Sequence, residues 1–260
     1  MSVLKPLRRL VGKVIRAVPF LRRQWDISTD YRLISEAEMA RGAARGWFSP
    51  LTAWRQERAY LGLLAQMHGG SPRADLAIAA RAVDGAGLEQ ATLLEVGCGS
   101  GYYSEILETL AGTRIAYTGI DYSTVMVARA RKRYPAGQFR QMDATRLDFA
   151  DSSFDIVFNG VSLMHIPDWR GAIAESRRVA RHACIFHSVP VFPVRATAHL
   201  SKYAYGAQVH ETVFNRDELI GCFAANGLVL RESWVSLPYD VEAVAGAPSH
   251  GETFLCVPAP

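Results

Sequence analysis

The sequence predicts an α/β fold: one mostly parallel sheet of seven strands flanked by helices, with a helical extension ahead of it. Three observations predict it. From Thr92 onward, short apolar runs alternate with segments of helical periodicity, the pattern of strand–helix–strand crossovers. The crossover helices are short, which implies mostly parallel pairing with right-handed connections. The run Leu93–Val96 enters three glycines at alternate positions, Gly97, Gly99 and Gly101, and a helical pattern follows to Leu110. That is a strand, a tight turn and a helix.

Each element has its own signal. Strands are expected at Leu93–Val96, Ile115–Ile120, Gln138–Gln141, Asp155–Asn159, Ala183–Ser188, Val229–Leu237 and Thr253–Val257. Helices are expected at Tyr103–Leu110, Thr124–Tyr134, Ala172–Ala180 and Arg216–Ala225, the last stopped by Asn226-Gly227. The last two strands lack a long helix between them, which suits an antiparallel hairpin. Ahead of the sheet, residues 25–90 read as a helical cap or lead-in. Ser35-Glu36-Ala37-Glu38 offers a capping-box start, and Trp47, Phe48, Trp54 and Tyr60 are dense aromatics for such a segment. Trp54, Ala59, Leu61, Leu64 and Met67 suggest helices that pack on the sheet or cover a pocket. Gly69-Gly70-Ser71-Pro72 breaks the chain before another helix, Asp75 to Val83.

Residues 1–24 read as a basic amphipathic segment. Leu4, Leu7, Val11, Val14, Val18 and Leu21 recur at spacings of three and four. The first 23 residues hold Lys5, Arg8, Arg9, Lys13, Arg16, Arg22 and Arg23 and no acid. Such a helix suits peripheral contact with an anionic membrane. A packing arm interrupted at Pro19 and a mitochondrial presequence are the other readings. The division expected is therefore 1–24, 25–90 and a main domain at 91–260.

Composition narrows the function. With 49% apolar and 21% charged residues, 260 residues bury a real core. The net charge is only +4. Outside the first 23 residues the chain is close to neutral, so no extended DNA surface is expected. Cys98, Cys184, Cys222 and Cys256 are far apart with no CxxC, so neither a metal site nor a disulfide framework is expected and a reduced compartment fits. No apolar run is long enough to span a membrane, and the start lacks the pattern of a secretory signal. The expected location is cytoplasmic, with membrane association through residues 1–24 if that segment is a surface helix.

The glycine turn carries the chemistry. Glycine adopts positive φ and lets a ligand approach with no Cβ in the way, and the following helix N-terminus favours an anionic group. The dinucleotide fingerprint needs glycine at the first, third and sixth positions. Counted from Gly97 the sixth position is Tyr102; counted from Gly99 it is Ser104. The nicotinamide pattern fails in both registers. Asp121 ends the second strand twenty residues after Gly101. An acid there accepts from both hydroxyls of a ribose or caps the helix that follows.

The stretch Glu95-Val96-Gly97-Cys98-Gly99-Ser100-Gly101 resembles the acidic-x-Gly-x-Gly-x-Gly signature of class I S-adenosylmethionine (SAM) methyltransferases, which have a Rossmann-like fold. Asp121, Asp143 and the run Asp155–Gly160 fall in that family's order and spacing, and the resemblance covers roughly residues 90–190. It implies SAM as cofactor, held by Glu95, Gly97, Cys98, Gly99, Gly101, Asp121, Tyr122, Asp143, Ala144, Asn159 and Gly160. By resemblance, Glu95 orients the glycine loop and helps receive the SAM ammonium. Asp143 accepts from the adenine amino group, and the Ala144 N–H meets the ring. Asn159 and Gly160 line the crevice beside the methionine moiety.

A methyl on a sulfonium is already activated, so transfer needs mainly alignment, with a base where the acceptor must lose a proton. His165, six residues past the fourth strand, is the first candidate base and His187, at the end of the fifth, the second. A substrate-orienting role for His165 and a packing role stand beside that reading. Tyr203, Tyr205, His210 and Glu211 sit in a long insert between Pro190 and Asn215, which reads as an acceptor-shaping loop or as plain surface. The expected function is methyl transfer to an oxygen or nitrogen on a small molecule or a lipid- or sugar-linked intermediate. The alternatives are RNA methylation and a non-catalytic SAM-binding or interaction module. Against nucleic acid, Asn159-Gly160-Val161-Ser162 stands where amino-methylating nucleic-acid enzymes carry an Asn/Asp-Pro-Pro-aromatic run, and no basic, aromatic-laced patch appears. The oligomeric state is not legible.

Overall fold

The structure is a computed structural model that describes residues 28–42 and 45–260. The segment 1–24, read above as basic and amphipathic, lies outside the described residues. In chain order the described elements begin with β1 (Ser28–Ile34), α1 (Glu36–Gly42), a 3-10 turn (Arg45–Phe48), α2 (Pro50–His68) and α3 (Ala74–Asp84). Next come β2 (Gln90–Val96), α4 (Tyr102–Leu110), β3 (Arg114–Asp121), α5 (Thr124–Arg133), β4 (Gln138–Gln141) and β5 (Phe154–Gly160). A second 3-10 turn (Leu163–His165), α6 (Trp169–Val179), β6 (Ala180–Phe192), β7 (Ala198–Ala204) and β8 (Ala207–Asn215) follow. The chain closes with α7 (Arg216–Ala225), β9 (Leu228–Leu237), α8 (Glu242–Ala245) and β10 (His250–Pro258).

All seven expected strands are present. They line up as β4-β3-β2-β5-β6-β10-β9, parallel from β4 to β6 and antiparallel for β10 and β9. The expected antiparallel hairpin at the end is β9–β10. β2 lies at the centre, buried on both faces, which is why its sequence is an almost unbroken apolar run. One face packs on α3 and α4 through Leu76, Val83, Ile106 and Leu107. The other packs on α6 and α7 through Trp169, Ile173, Leu219 and Phe223. Helix starts are capped as the residue types dictate. Ser49 accepts from the Thr52 N–H with Pro50 at the first helical position, Ser123 caps α5, Asp168 caps α6 and Asn215 caps α7. The Ser35 side of the expected capping box forms too, its hydroxyl accepting from the Glu38 N–H at 3.2 Å.

The sheet has ten strands rather than seven, because two segments outside the expected seven also form strands. Residues 25–90 are not wholly helical, since Ser28–Ile34 is a strand. The insert after Pro190 is not a loop: it extends β6 and then folds as the hairpin β7–β8. β1 pairs antiparallel with β7, β7 with β8, and β8 joins the end of β6 in parallel at Val191 and Phe192. The hairpin turns on Tyr205 and Gly206, both at positive φ (51° and 84°), the signature of a two-residue turn matched to strand twist. Within this ribbon Lys202 and Glu211 form a buried ion pair, and the Tyr239 hydroxyl donates to Glu211. Burial alone would lower the Lys202 ammonium, but Glu211 reverses that and holds it above the ordinary lysine value.

Candidate active site

The turn after β2 is left-handed at three residues: Gly97 (φ +77°), Gly99 (+53°) and Gly101 (+84°). The need for glycine is also steric. A Cβ on Gly97 would lie 2.3 Å from the Ser162 Cβ, and one on Gly101 would lie 2.8 Å from the Phe139 ring. Over Gly99 lies the amide of Gln56 from α2, its Oε1 3.3 Å from where such a Cβ would be. That oxygen is buried and has no hydrogen-bond partner.

Asp121 ties the loop together. Its Oδ2 accepts from the Gly99 N–H at 2.9 Å and its Oδ1 from the Ser123 N–H at 2.8 Å. It anchors the turn into α5 while keeping two further lone pairs for a ligand hydroxyl. Burial pushes its carboxyl up to about 6, against the pull of those two N–H groups. The end of β4 is drawn alongside: the Met142 N–H donates to the Asp121 carbonyl and the Gln141 amide to the Tyr122 carbonyl. Tyr122 meets Phe48 edge-on at 5.0 Å. Asp143 is exposed and folds an Asx turn, accepting from both the N–H and the hydroxyl of Thr145 at 2.8 Å. Ala144 beside it is half-buried.

Glu95 is 1% exposed. The Tyr117 hydroxyl donates to its Oε2, while its Oε1 is buried without a partner beside Gly160, whose Cβ would sit only 2.6 Å away. Burial, with the Asp121 charge adding to it and Tyr117 opposing it, pushes the Glu95 carboxyl up to about 8. So Glu95, Gly97, Gly99, Gly101, Asp121 and Gly160 converge at the carboxyl ends of adjacent parallel strands, where open α/β sheets bind ligands.

Three expected residues sit differently. The Cys98 side chain turns into a small core cluster with Val127, Ala130 and Phe139, leaving only its backbone toward the loop. Asn159 is fully buried, and its amide donates to the Ser176 hydroxyl on α6 at 3.2 Å, so its side chain is directed into the helix layer and not the crevice. His187 is a core histidine. Its ring stacks on Phe158, meets Tyr103 edge-on, and finds the Thr253 and Ser188 hydroxyls at 2.8 and 3.3 Å. Burial pushes it down to about 4.

His165 does stand near the loop. Ser162, at the start of its turn, donates to the Val96 carbonyl at 2.6 Å and lies against Gly97. The His165 Nδ1–H donates to the His210 carbonyl at 2.8 Å, since a carbonyl only accepts, which leaves Nε2 with the lone pair. Its ring meets Trp47 edge-on at 5.1 Å, and Trp47 in turn faces Tyr205 at 6.2 Å. The Trp47 carbonyl accepts from the Ser123 hydroxyl at 2.8 Å, and Arg55 donates to the Tyr205 carbonyl at 3.2 Å. The ribbon and the first 3-10 turn thus wall the side of the glycine loop. Burial and then the Lys202 charge push His165 down to about 4, so it is neutral at physiological pH and not the near-neutral titrating group its type suggests. Sequence reasoning missed Gln56 and the wall role of Trp47. For Gln56 no local signal existed; for Trp47 the aromatic density was the signal.

Residues 94–187, which hold the glycine loop, Asp121, Asp143, Gly160 and His165, match the methyltransferase domain family. The chain carries a class I SAM-dependent methyltransferase domain. A phosphatidylethanolamine N-methyltransferase of Cereibacter sphaeroides is 39% identical over 95 residues, 34% of this chain and 45% of the relative. A demethylmenaquinone methyltransferase of Bacillus velezensis is 34% identical over 98 residues, 36% of this chain and 42% of the relative. The chain spans less than half the length of these curated relatives. The fold also matches the Burkholderia thailandensis 1,6-didemethyltoxoflavin-N1-methyltransferase, solved with its substrate and S-adenosylhomocysteine. There the TM-score is 0.54 and identity 18%, covering 90% of this chain and 94% of that one. Among the described residues no helix is long and apolar enough to cross a membrane.

Proposed function

We propose that the protein transfers the SAM methyl group to an oxygen or nitrogen on a small molecule or a lipid- or sugar-linked acceptor. The observation that carries this reading is the loop itself: three left-handed glycines with Asp121 beneath them and the unpartnered Gln56 oxygen above. These residues fit SAM. Asp121 suits the ribose hydroxyls, Asp143 and Ala144 the adenine edge, and the buried Glu95 carboxyl the ammonium. Gln56 closes the loop from the α2 side. The sulfonium supplies a methyl carbon that needs no further activation.

The chain's own residues then do three things. The loop and Asp121 fix the position of the nucleoside. Trp47 and Tyr205 exclude water from the acceptor side. His165, locked by the His210 carbonyl into the tautomer with a lone pair on Nε2, accepts a hydrogen bond from the acceptor and orients it. The lipid-type acceptor draws support from the printed activities of the phosphatidylethanolamine and demethylmenaquinone relatives.

The test is a host lysate incubated with methyl-labelled SAM and separated into lipid, glycan, small-molecule and RNA fractions. Label in the lipid, glycan or small-molecule fraction is the expected result. Label confined to RNA would replace the acceptor assignment, and tight binding of NADH without SAM binding would overturn the reading as a whole.

A further inference from the structure

α2 has two unlike faces. Its inner face buries Thr52, Ala53, Leu64 and Met67, lays Gln56 over Gly99 and stacks Tyr60 on Tyr102 at 3.4 Å. Its outer face carries Leu51, Trp54, Arg58 and Leu61 at spacings of three and four, one continuous stripe. The three apolar side chains there are 51%, 43% and 41% exposed. Arg58 lies over the Trp54 ring at 5.0 Å from its centroid. The one acid of the helix, Glu57, is off this stripe and bonded to Arg129. An apolar stripe with an aromatic ring, a cation and no acid has the make-up of a helix that lies in a lipid interface.

We infer that this outer face of α2 docks on an anionic lipid surface. Charge selects the occupant. Residues 1–23 hold seven cations and no acid. Like charge opposes their lying over Arg58, whereas both add to attraction by anionic headgroups. The same helix reaches the cofactor loop with its other face, so docking sets the loop side of the domain against the lipid. The inference deepens the lipid-linked acceptor reading above, but it is decided by binding alone.

The experiment is co-sedimentation of the full chain with vesicles of phosphatidylcholine alone and of phosphatidylcholine mixed with phosphatidylglycerol. The wild type should bind the mixed vesicles more strongly, and less so at high salt. The triple variant Leu51→Ser/Trp54→Ser/Leu61→Ser should bind at least about tenfold more weakly. Its SAM affinity should stay as in the wild type and its thermal unfolding should remain a single cooperative transition; both report an intact domain. Arg58→Glu should weaken binding to the anionic vesicles only. Wild-type protein that ignores anionic vesicles, or a triple variant that binds as well as the wild type, would overturn the inference. So would a wild-type dimer in sedimentation velocity that the triple variant breaks, since the stripe would then belong to a second copy. Retained vesicle binding with label only in a water-soluble acceptor would sink the lipid acceptor and leave the docking face standing.

Discussion

Replacing Asp121 separates loop integrity from cofactor binding. Its two carboxylate oxygens satisfy two buried donors, the N–H groups of Gly99 and Ser123. Asp121→Ala orphans both, at about 1–3 kcal/mol each, so the domain should lose roughly 2–6 kcal/mol. Asp121→Asn keeps the shape and one acceptor and should lose about half of that. In both variants the carboxylate is gone, and each charge-assisted bond to a ribose hydroxyl is worth roughly 1.5–3 kcal/mol. SAM affinity should therefore fall at least about tenfold even in Asp121→Asn. Urea unfolding and calorimetric titration measure the two effects apart. The pH dependence has a definite sign. The folded carboxyl is raised from 3.8 to about 6, so folding stability from this group declines as pH rises through that window. SAM affinity moves the opposite way, weakening as pH falls through about 6 and the carboxylate is protonated. Asp121→Asn should flatten that limb. If Asp121→Asn binds SAM as the wild type does, or Asp121→Ala unfolds at the wild-type urea concentration, the reasoning fails.

Four further outcomes are expected. SAM binding near neutral pH should release a proton from Glu95, raised to about 8 while no cation sits beside it; calorimetry in buffers of different ionisation enthalpy detects it, and Glu95→Gln should abolish it. His165→Ala should lower turnover while SAM affinity holds. Because His165 titrates at about 4, a wild-type limb near pH 6–7 that the variant loses would refute its neutral state. His165 and His187, both depressed from 6.5 to about 4, should stabilise the fold fully above pH 6.5 and lose that contribution as pH falls through about 4, visible as an acid limb in urea unfolding that the His187→Gln variant shortens. Lys202→Met should cost about 3–5 kcal/mol by stranding Glu211, and adding Glu211→Leu should recover most of it in the same assay.

The parallel core and the glycine turn were legible because their causes are local. Apolar runs, cap residues and glycines at strand ends act within a few residues of themselves. β1 was not legible: Ser-Thr-Asp-Tyr-Arg-Leu-Ile lacks a clean alternation, and no residue of this edge strand is fully buried. The β7–β8 hairpin had a faint signal in Tyr205-Gly206, but its flanks mix Lys202, His210 and Glu211 into a buried ribbon, where charge reads as surface. The site divides the same way. Glu95, Asp121 and the glycines follow from the strand that carries them. Gln56 is brought over Gly99 only by tertiary packing, and the depressed basicity of His165 comes first from its burial and then from a lysine on a strand that the sequence concealed. Asn159 sits near the end of its strand as expected, whereas His187 lies inside β6, which runs on to Phe192, and only packing decides which way the two side chains turn.

The pairing of β1 with β7 joins residues about 170 positions apart, such as Ser28 with Ala204. The first described strand therefore has no partner until most of the chain exists. On a ribosome, β2 to β5 can assemble around the loop while β1 and the helix beyond it wait for the hairpin that receives them. Closing so long a loop is slow relative to the local βαβ steps. The wall of the acceptor side is thus among the last parts of the molecule to form.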